Sequence, residues 1–187
     1  MTQLNYINKP IFDHGAVEQV SEVLRSMGIR RPLICTDPGL AQMGMLDKLR
    51  NLISNEFSQI IFDQTPANPT QEAVEKAVEI YKSEGCDGII GFGGGSSMDL
   101  GKAVAIMATH EGTIVDYSIN EGGVEKISET APLLAIPTTS GTGSEVSSGS
   151  VIIMRDGRKL ILASSHLIPA AAICDPDLTL GLPPIIT

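Results

Sequence analysis

Short apolar runs alternate along this chain with amphipathic stretches, and this alternation constrains the fold more than any other feature of the sequence. The runs are at 32–36, 59–62, 88–91, 132–137 and 171–175. Such runs are typical of buried strands, and the stretches between them show the three-to-four-residue spacing of helices. The pattern predicts βαβ units around a parallel sheet.

Four helices are expected between these strands. The first spans His14 to Met27, the second contains Met43, Leu46, Leu49 and Ile53, the third begins at Asn68, and the fourth spans Ser97 to Ala108. In the third, Asn68 is expected to be the N-cap and Pro69 the first helical residue. Asp156-Gly157, between apolar runs at 150–153 and 159–163, predicts a β-hairpin.

Composition places the chain among globular proteins and limits its partners. With 187 residues, 42% hydrophobic and 19% charged, it suits one domain over residues 1–187. The net charge of −9 argues against a nucleic-acid partner. A phosphate-bearing ligand is therefore expected to be held by backbone amides.

The cysteines and the N-terminus indicate where the protein works. Cys35, Cys86 and Cys174 are far apart and form no CxxC motif, as expected of free thiols in a reducing compartment. The first ten residues lack the apolar core of a signal peptide, and no apolar run is long enough to span a bilayer. A cytoplasmic protein without a membrane partner is expected.

The segment Gly91-Phe92-Gly93-Gly94-Gly95-Ser96-Ser97-Met98-Asp99 lies between a predicted strand and a predicted helix. Consecutive glycines let the backbone approach a ligand closely, and the free N–H groups of a helix start attract a diphosphate. The segment matches neither the GxGxxG pattern nor a P-loop, because Ser96 stands where both need Gly. The alternative is a tight turn with a capping box formed by Ser96 and Asp99.

Two further polar features follow predicted strands. The segment from Thr138 to Glu145 is rich in hydroxyl groups and glycine, and it suits either a ligand or a solvated loop. Asp37 suits either the ribose of NAD, where its charge would repel the 2′-phosphate of NADP, or a turn at Asp-Pro-Gly. Because ligands of open α/β sheets bind at the carboxyl ends of the strands, the three features support one another.

The motifs together resemble those of the iron-containing (group III) alcohol dehydrogenase family. Residues 93–103 resemble its GGGSxxDxxKA segment, 137–145 its PTTxGTGSE segment, 66–70 its PNPT turn, and 175–183 the end of its first domain. The match runs in order along essentially the whole chain. The resemblance implies a Rossmann-like, α/β fold with a parallel sheet, flanking helices and a β-hairpin, similar to the N-terminal domain of dehydroquinate synthase.

The resemblance also implies a cofactor site for NAD, with NADP less favoured. In that reading Asp37 holds the adenosine ribose, and Asn68 lies near the nicotinamide. The expected set is completed by the diphosphate-binding Gly94, Gly95, Ser96, Ser97 and Asp99, by Thr138, Thr139 and Thr142, by Ser147, Gly149 and Lys159 along the cofactor, and by Leu178, Gly181 and Leu182 at the adenine.

In the resembled family the metal ligands, one Asp and three His, lie in a helical domain that follows an LPP segment. This sequence ends at Thr187, just after its own Leu182-Pro183-Pro184, and His14, His110 and His166 show no metal-binding spacing. We therefore expect no metal ligand and no catalytic residue in this chain, and Fe²⁺ only in a full-length enzyme that acts on small alcohols or aldehydes.

Two other interpretations remain open at this stage. One is a sister enzyme of the same architecture, such as a glycerol dehydrogenase or a maleylacetate reductase. The other is a stand-alone nucleotide-binding module, against which the apolar segment 182–186 argues, since it suggests a neighbouring domain. Such an apolar face also leads us to expect association, most simply as a homo-oligomer.

The resemblance makes a direct prediction about activity. This chain mixed with NAD⁺, a primary alcohol and ferrous iron should show no turnover above the buffer rate, because the expected metal ligands are not among its residues. NADH formation followed by absorbance is the measurement, and clear turnover would contradict the assignment of the metal ligands to another domain.

Overall fold

The computed structural model describes residue 8 and residues 10–182. Its strands are β1 (Pro10–Phe12), β2 (Pro32–Cys35), β3 (Ile60–Phe62), β4 (Gly88–Gly93), β5 (Leu133–Pro137), β6 (Gly149–Ile153), β7 (Lys159–Ala163) and β8 (Ala171–Cys174). Six of them form a parallel sheet in the order β1-β8-β5-β4-β2-β3, and β6 pairs with β7 as an antiparallel hairpin. This arrangement confirms the predicted α/β fold with its parallel sheet and hairpin.

The helices are α1 (Val20–Ser26), α2 (Pro38–Gln42), α3 (Met45–Leu52), α4 (Gln71–Ser83), α5 (Gly95–Thr109) and α6 (Gly123–Lys126). The predicted first helix begins as a 3-10 turn at 16–19. The predicted second helix is divided into α2 and α3, because Gly44 between them has a φ of 73°. No helix among residues 10–182 is both long and apolar enough to cross a membrane.

Two predicted helix starts are wrong. The N-cap of α4 is Thr70, whose side chain accepts a hydrogen bond from Ala73 N, and Asn68 lies outside the helix. The N-cap of α5 is Gly94, which makes no side-chain capping bond, so the helix begins two residues earlier than predicted. The predicted capping box of Ser96 and Asp99 is absent, because the Asp99 carboxylate bonds to other parts of the described chain.

The sequence pattern also missed β1, an edge strand of three residues whose partners come from β8, at the other end of the chain. A strand this short carries no recognisable alternation. The apolar segment 183–186 lies outside the described residues.

Both faces of the sheet are buried. Alternate residues of the central strands point to opposite sides, so that Leu33, Ile89 and Leu133 pack with α4, α5 and the hairpin. Their neighbours Ile34, Ile90 and Leu134 pack with α1 and α3. This two-sided burial explains why the strands are continuous apolar runs in the sequence.

The chain order in the sheet creates a switch point. From β2 the chain moves outward to β3, whereas from β4 it moves in the opposite direction to β5 and then β8. The connections that leave the carboxyl ends of β2 and β4 therefore run in opposite directions. In open α/β sheets this arrangement forms the crevice where ligands bind.

Helix α5 packs closely over β4 at Gly91. A Cβ atom at Gly91 would lie 3.1 Å from Met98 Cα, which is backbone and has little room to move. We expect Gly91→Ala to lower the free energy of unfolding by about 1–3 kcal/mol, the usual cost of overpacking. Urea denaturation followed by circular dichroism measures this change.

The matched control is Gly149→Ala, since a Cβ there would meet only Leu162 O, at 3.8 Å. This substitution should change the free energy of unfolding by less than about 1 kcal/mol. Equal unfolding free energies for the two variants would contradict the close approach at Gly91.

Candidate functional site

The glycine loop, defined as residues 93–96, joins β4 to α5 at the switch point. Gly93 has a φ of 144°, and a Cβ there would lie 2.6 Å from Ser97 Oγ. The first N–H groups of α5, those of Gly95 and Ser96, have no backbone acceptor within the described part of the chain. They are thus free to donate to an anion, as the first amides of a helix commonly are.

The threonine loop, defined as residues 138–145, lies against the glycine loop. Thr138 N donates to Gly93 O at 2.9 Å. A Cβ at Gly94 would lie 3.4 Å from Thr139 Oγ1, and one at Gly95 would lie 3.4 Å from Thr142 Cβ. The two loops therefore lie side by side, and the space between them, the groove, would be narrowed by a side chain at 94 or 95.

One hydroxyl group in this groove lacks a partner. Thr139 Oγ1 is buried and makes no hydrogen bond to any described residue. An unpaired buried hydroxyl costs free energy, so such a group points to a ligand or an ordered water as its natural partner. This oxygen lies 3.4 Å from the position of a Cβ at Gly94, and its contact with a diphosphate is a prediction.

Asp37 lies after β2, at the neighbouring strand end. It is the N-cap of α2, and its Oδ1 accepts from Leu40 N at 3.1 Å, so the predicted turn is in fact a helix start. Leu40 in turn contacts the glycine loop, since its Cδ1 would lie 3.3 Å from a Cβ at Gly93. Asp37 is partly exposed, and its Oδ2 accepts no hydrogen bond from the described residues, which leaves it open to a ligand.

A cleft of about 390 Å³ lies beyond α2 and is lined by Met43, Phe92, Leu178 and Gly181. The segment that carries Leu178 is fixed by Asp175, which is almost fully buried at the end of β8. Asp175 accepts hydrogen bonds from Gly15 N, Val17 N and Asp177 N at 3.0–3.2 Å. Leu182, the last described residue, is half-buried.

The residues expected near the nicotinamide lie on the other side of the glycine loop. Ser96 Oγ donates to Ala67 O, which brings the exposed Asn68 beside the start of α5. The exposed Lys159 pairs across the hairpin with Ile153, whose N–H donates to Pro69 O at 2.8 Å. The hairpin and the 66–70 turn are thus adjacent.

Two of the predicted site residues face inward. Ser97 is 1% exposed and lies beneath Gly93. Asp99 accepts from Ser144 Oγ at 2.8 Å with Oδ1 and from Val151 N at 3.0 Å with Oδ2. Direct contact of these two side chains with a cofactor stays a prediction, and what Asp99 does in the structure is to connect α5 to the threonine loop and the hairpin.

Lys102 was missed as a site residue. Its side chain is fully buried, and the three N–H groups of its Nζ are shared among four acceptors, Ser144 Oγ (3.1 Å), Ser147 O (2.9 Å), Ser147 Oγ (2.8 Å) and Gly149 O (2.9 Å). Burial lowers the pKa of Lys102 to about 8, while Asp99 and Glu145 favour its charged form. The signal in the sequence was a lysine inside a helix that is apolar on all sides, which such a helix must bury.

One family model, described as iron-containing alcohol dehydrogenase, matches residues 8–176. The chain belongs to this family. It is 47% identical to a 4-hydroxybutyrate dehydrogenase from Cupriavidus necator, over all of this chain and 49% of that protein.

Two solved structures share the fold of this chain along its whole length. A 1,3-propanediol oxidoreductase superposes with a TM-score of 0.91 at 32% identity, over 100% of this chain and 49% of its own. The sulfoacetaldehyde reductase of Bifidobacterium kashiwanohense, solved in complex with NAD⁺, superposes with a TM-score of 0.86 at 28% identity and the same coverage. The chain therefore spans about half the length of these relatives.

The family name implies iron, and the described residues do not fit it. Among residues 8 and 10–182, no three His, Cys, Asp or Glu side chains lie close enough to hold a metal ion. His14 bonds to Asp177 at 2.8 Å on the surface, and His110 bonds to Ser128 at 3.0 Å beside Tyr117. A metal-dependent step therefore has no ligands in this part of the protein.

The unpaired hydroxyl of Thr139 yields a prediction with opposite signs for stability and binding. Thr139→Val removes the buried Oγ1, so the free energy of unfolding should rise by about 1 kcal/mol while the dissociation constant for NADH increases roughly fivefold. Thermal unfolding and NADH fluorescence titration measure the two effects.

Ser118→Ala is the matched control, since Ser118 Oγ is also buried and unpaired but lies outside both loops, opposite Leu162. It should stabilise the fold without changing NADH affinity. Unaltered NADH affinity in Thr139→Val would show that this hydroxyl does not meet the ligand.

Proposed function

We propose that this chain forms the NAD-binding portion of an iron-containing alcohol dehydrogenase that interconverts primary alcohols and aldehydes. The observation that carries the proposal is the position of Asp37, the glycine loop and the threonine loop, which follow β2, β4 and β5 around the switch point of the sheet. This is the place where open α/β sheets bind nucleotides.

The diphosphate of NAD would lie in the groove between the glycine and threonine loops. The amides of Gly95 and Ser96 and the positive end of α5 supply attraction for its two negative charges. Thr139 Oγ1 supplies a further donor that has no other described partner. Backbone amides and hydroxyl groups thus bind an anion on a chain whose net charge is −9.

The adenosine would lie toward α2. The free Oδ2 of Asp37 suits the ribose hydroxyl groups, and its charge would repel the 2′-phosphate of NADP. The cleft lined by Met43, Leu178 and Gly181 offers apolar surface for the adenine ring. These contacts favour NAD over NADP.

The nicotinamide would lie toward the 66–70 turn and the hairpin, beside Asn68, Ser147, Gly149 and Lys159. When bound, NAD⁺ would accept a hydride from the carbinol carbon of the alcohol, whose hydroxyl group releases a proton. The role of this chain is to orient the nicotinamide so that one of its faces meets the substrate.

A short primary alcohol is the substrate class that the relatives support. The names of the 4-hydroxybutyrate dehydrogenase and the 1,3-propanediol oxidoreductase each denote a short molecule with a terminal hydroxyl group. Each of these two proteins matches all of this chain with 49% of its own length.

The test is a comparison of NADH and NADPH binding to the chain and to Asp37→Asn. Asparagine keeps the N-cap of α2 but removes the charge, so the helix start is preserved. The wild type should bind NADH more tightly than NADPH. The variant should narrow that preference by roughly tenfold, the effect of removing one like charge near a phosphate at a protein surface.

Asp63→Asn is the matched control, because Asp63 follows the next strand, β3, at the same edge of the sheet. The preference of Asp63→Asn for NADH over NADPH should equal that of the wild type. Failure of the wild type to bind either nucleotide would overturn the proposal, and an unchanged preference in Asp37→Asn would overturn the role of Asp37.

A further inference from the structure

The connection between the threonine loop and the hairpin, residues 144–149, has little regular structure of its own. Residues 144–148 form turns and bends, and Gly149 is the first residue of β6, so few backbone groups of the connection are paired in a helix or a strand. All four acceptors of the Lys102 ammonium group belong to this connection, namely the carbonyl oxygens of Ser147 and Gly149 and the hydroxyl oxygens of Ser144 and Ser147.

An ammonium group buried where α5 packs against the rest of the protein is energetically unfavourable. Burying a charge costs free energy that hydrogen bonds only partly return, and an apolar side chain of similar size would stabilise the packing at least as well. The location of the charge is therefore informative, because it converges on one irregular segment rather than on an opposing carboxylate. The Asp99 carboxylate completes the arrangement by holding Ser144 and Val151 N.

We propose that Lys102 is a positioning residue for the dinucleotide, which holds residues 144–149 against α5 so that the threonine loop and the hairpin keep the width of the groove. The inference rests on the proposed NAD site. Lys102 itself does not touch the ligand, since its side chain is fully buried beneath the segment that it holds.

Several elements bring titratable groups near Lys102, and Glu129 and His166 line a cavity that Lys102 also borders. Asp99 on α5 and Glu145 in the threonine loop face it, and both favour its protonated form. The adjoining strands β4, β5 and β6 contribute no titratable side chain, and on α4 burial raises the pKa of Tyr81 to about 12. A transition near pH 8 is therefore expected from Lys102.

As the pH rises, NADH affinity should fall while the free energy of unfolding rises. Burial lowers the pKa of Lys102 below the value that this lysine has in the unfolded chain. Above pH 8 the unfolded chain therefore binds more protons than the folded chain. For this reason Lys102 makes the fold more stable as the pH rises. Deprotonation also removes one donor and the charge that hold residues 144–149, so NADH affinity should fall over the same range. A purely structural lysine would not separate the two effects.

The experiment measures NADH affinity and the free energy of unfolding of the wild type and of Lys102→Met between pH 7 and pH 9. The wild type should bind NADH more weakly at pH 9. At pH 7, Lys102→Met should bind about tenfold more weakly than the wild type, and its affinity should not change with pH. Lys76→Met, which alters an exposed lysine on α4, should behave as the wild type.

A second measurement uses the wild type alone and covers the case in which Lys102→Met does not fold. If protonated Lys102 favours NADH binding, then NADH must raise the pKa of Lys102 by reciprocity, which NMR of the lysine ε-methylene signal detects. An unchanged pKa would overturn the proposal.

The remaining outcomes separate this inference from the proposed function. A folded Lys102→Met that binds NADH as the wild type does, with the same pH dependence, would overturn the positioning role and leave the NAD site intact. A wild type that binds no NADH at any pH would overturn both.

Discussion

The contact between α5 and β4 is the constraint on which the rest of this structure depends. Gly91 allows the backbone of the helix at Met98 to approach the strand, and a Cβ at Gly101 would lie 3.2 Å from Leu133 on the next strand. With the helix so close to the sheet, only Gly94 separates the last residue of β4 from the first residue of α5. The first amides of the helix are thereby fixed at the carboxyl edge of the sheet, between the ends of β2 and β5.

The electrostatics of the site follow from this geometry. The chain carries a net charge of −9, yet it belongs to a family in which a relative has been solved with NAD⁺. In the proposed NAD site, directed dipoles would bind the anion, since helix amides and a threonine hydroxyl attract at short range without changing the charge of the surface. The ammonium group of Lys102 is buried and bonds to the protein rather than to solvent.

The same helix connects the two ends of the groove. Its first turn forms the glycine loop, and its second turn carries Asp99 and Lys102, which hold the threonine loop and the hairpin. The chain spans about half the length of its relatives, and its described residues contain no cluster of metal ligands. In the function proposed for it, this part of the protein orients the nucleotide, and the width of the groove depends on contacts that no single motif contains.

The sequence by itself determined the class of the fold and the three strand ends that carry the candidate site. Strands buried on both faces must be apolar throughout, and helices with one buried face must carry apolar residues every three to four positions. Both patterns can therefore be recognised in the sequence alone. It determined less about helix starts, because capping at Thr70 and Gly94 depends on where the chain turns rather than on which residues are suited to capping. Only the tertiary structure decided the pairing of β1 with β8, the unpaired state of Thr139 Oγ1 and the acceptors of Lys102. The β1–β8 pairing and the Lys102 contacts join residues that are distant in sequence, and the state of Thr139 depends on which residues surround it, so local periodicity carries no information about any of them.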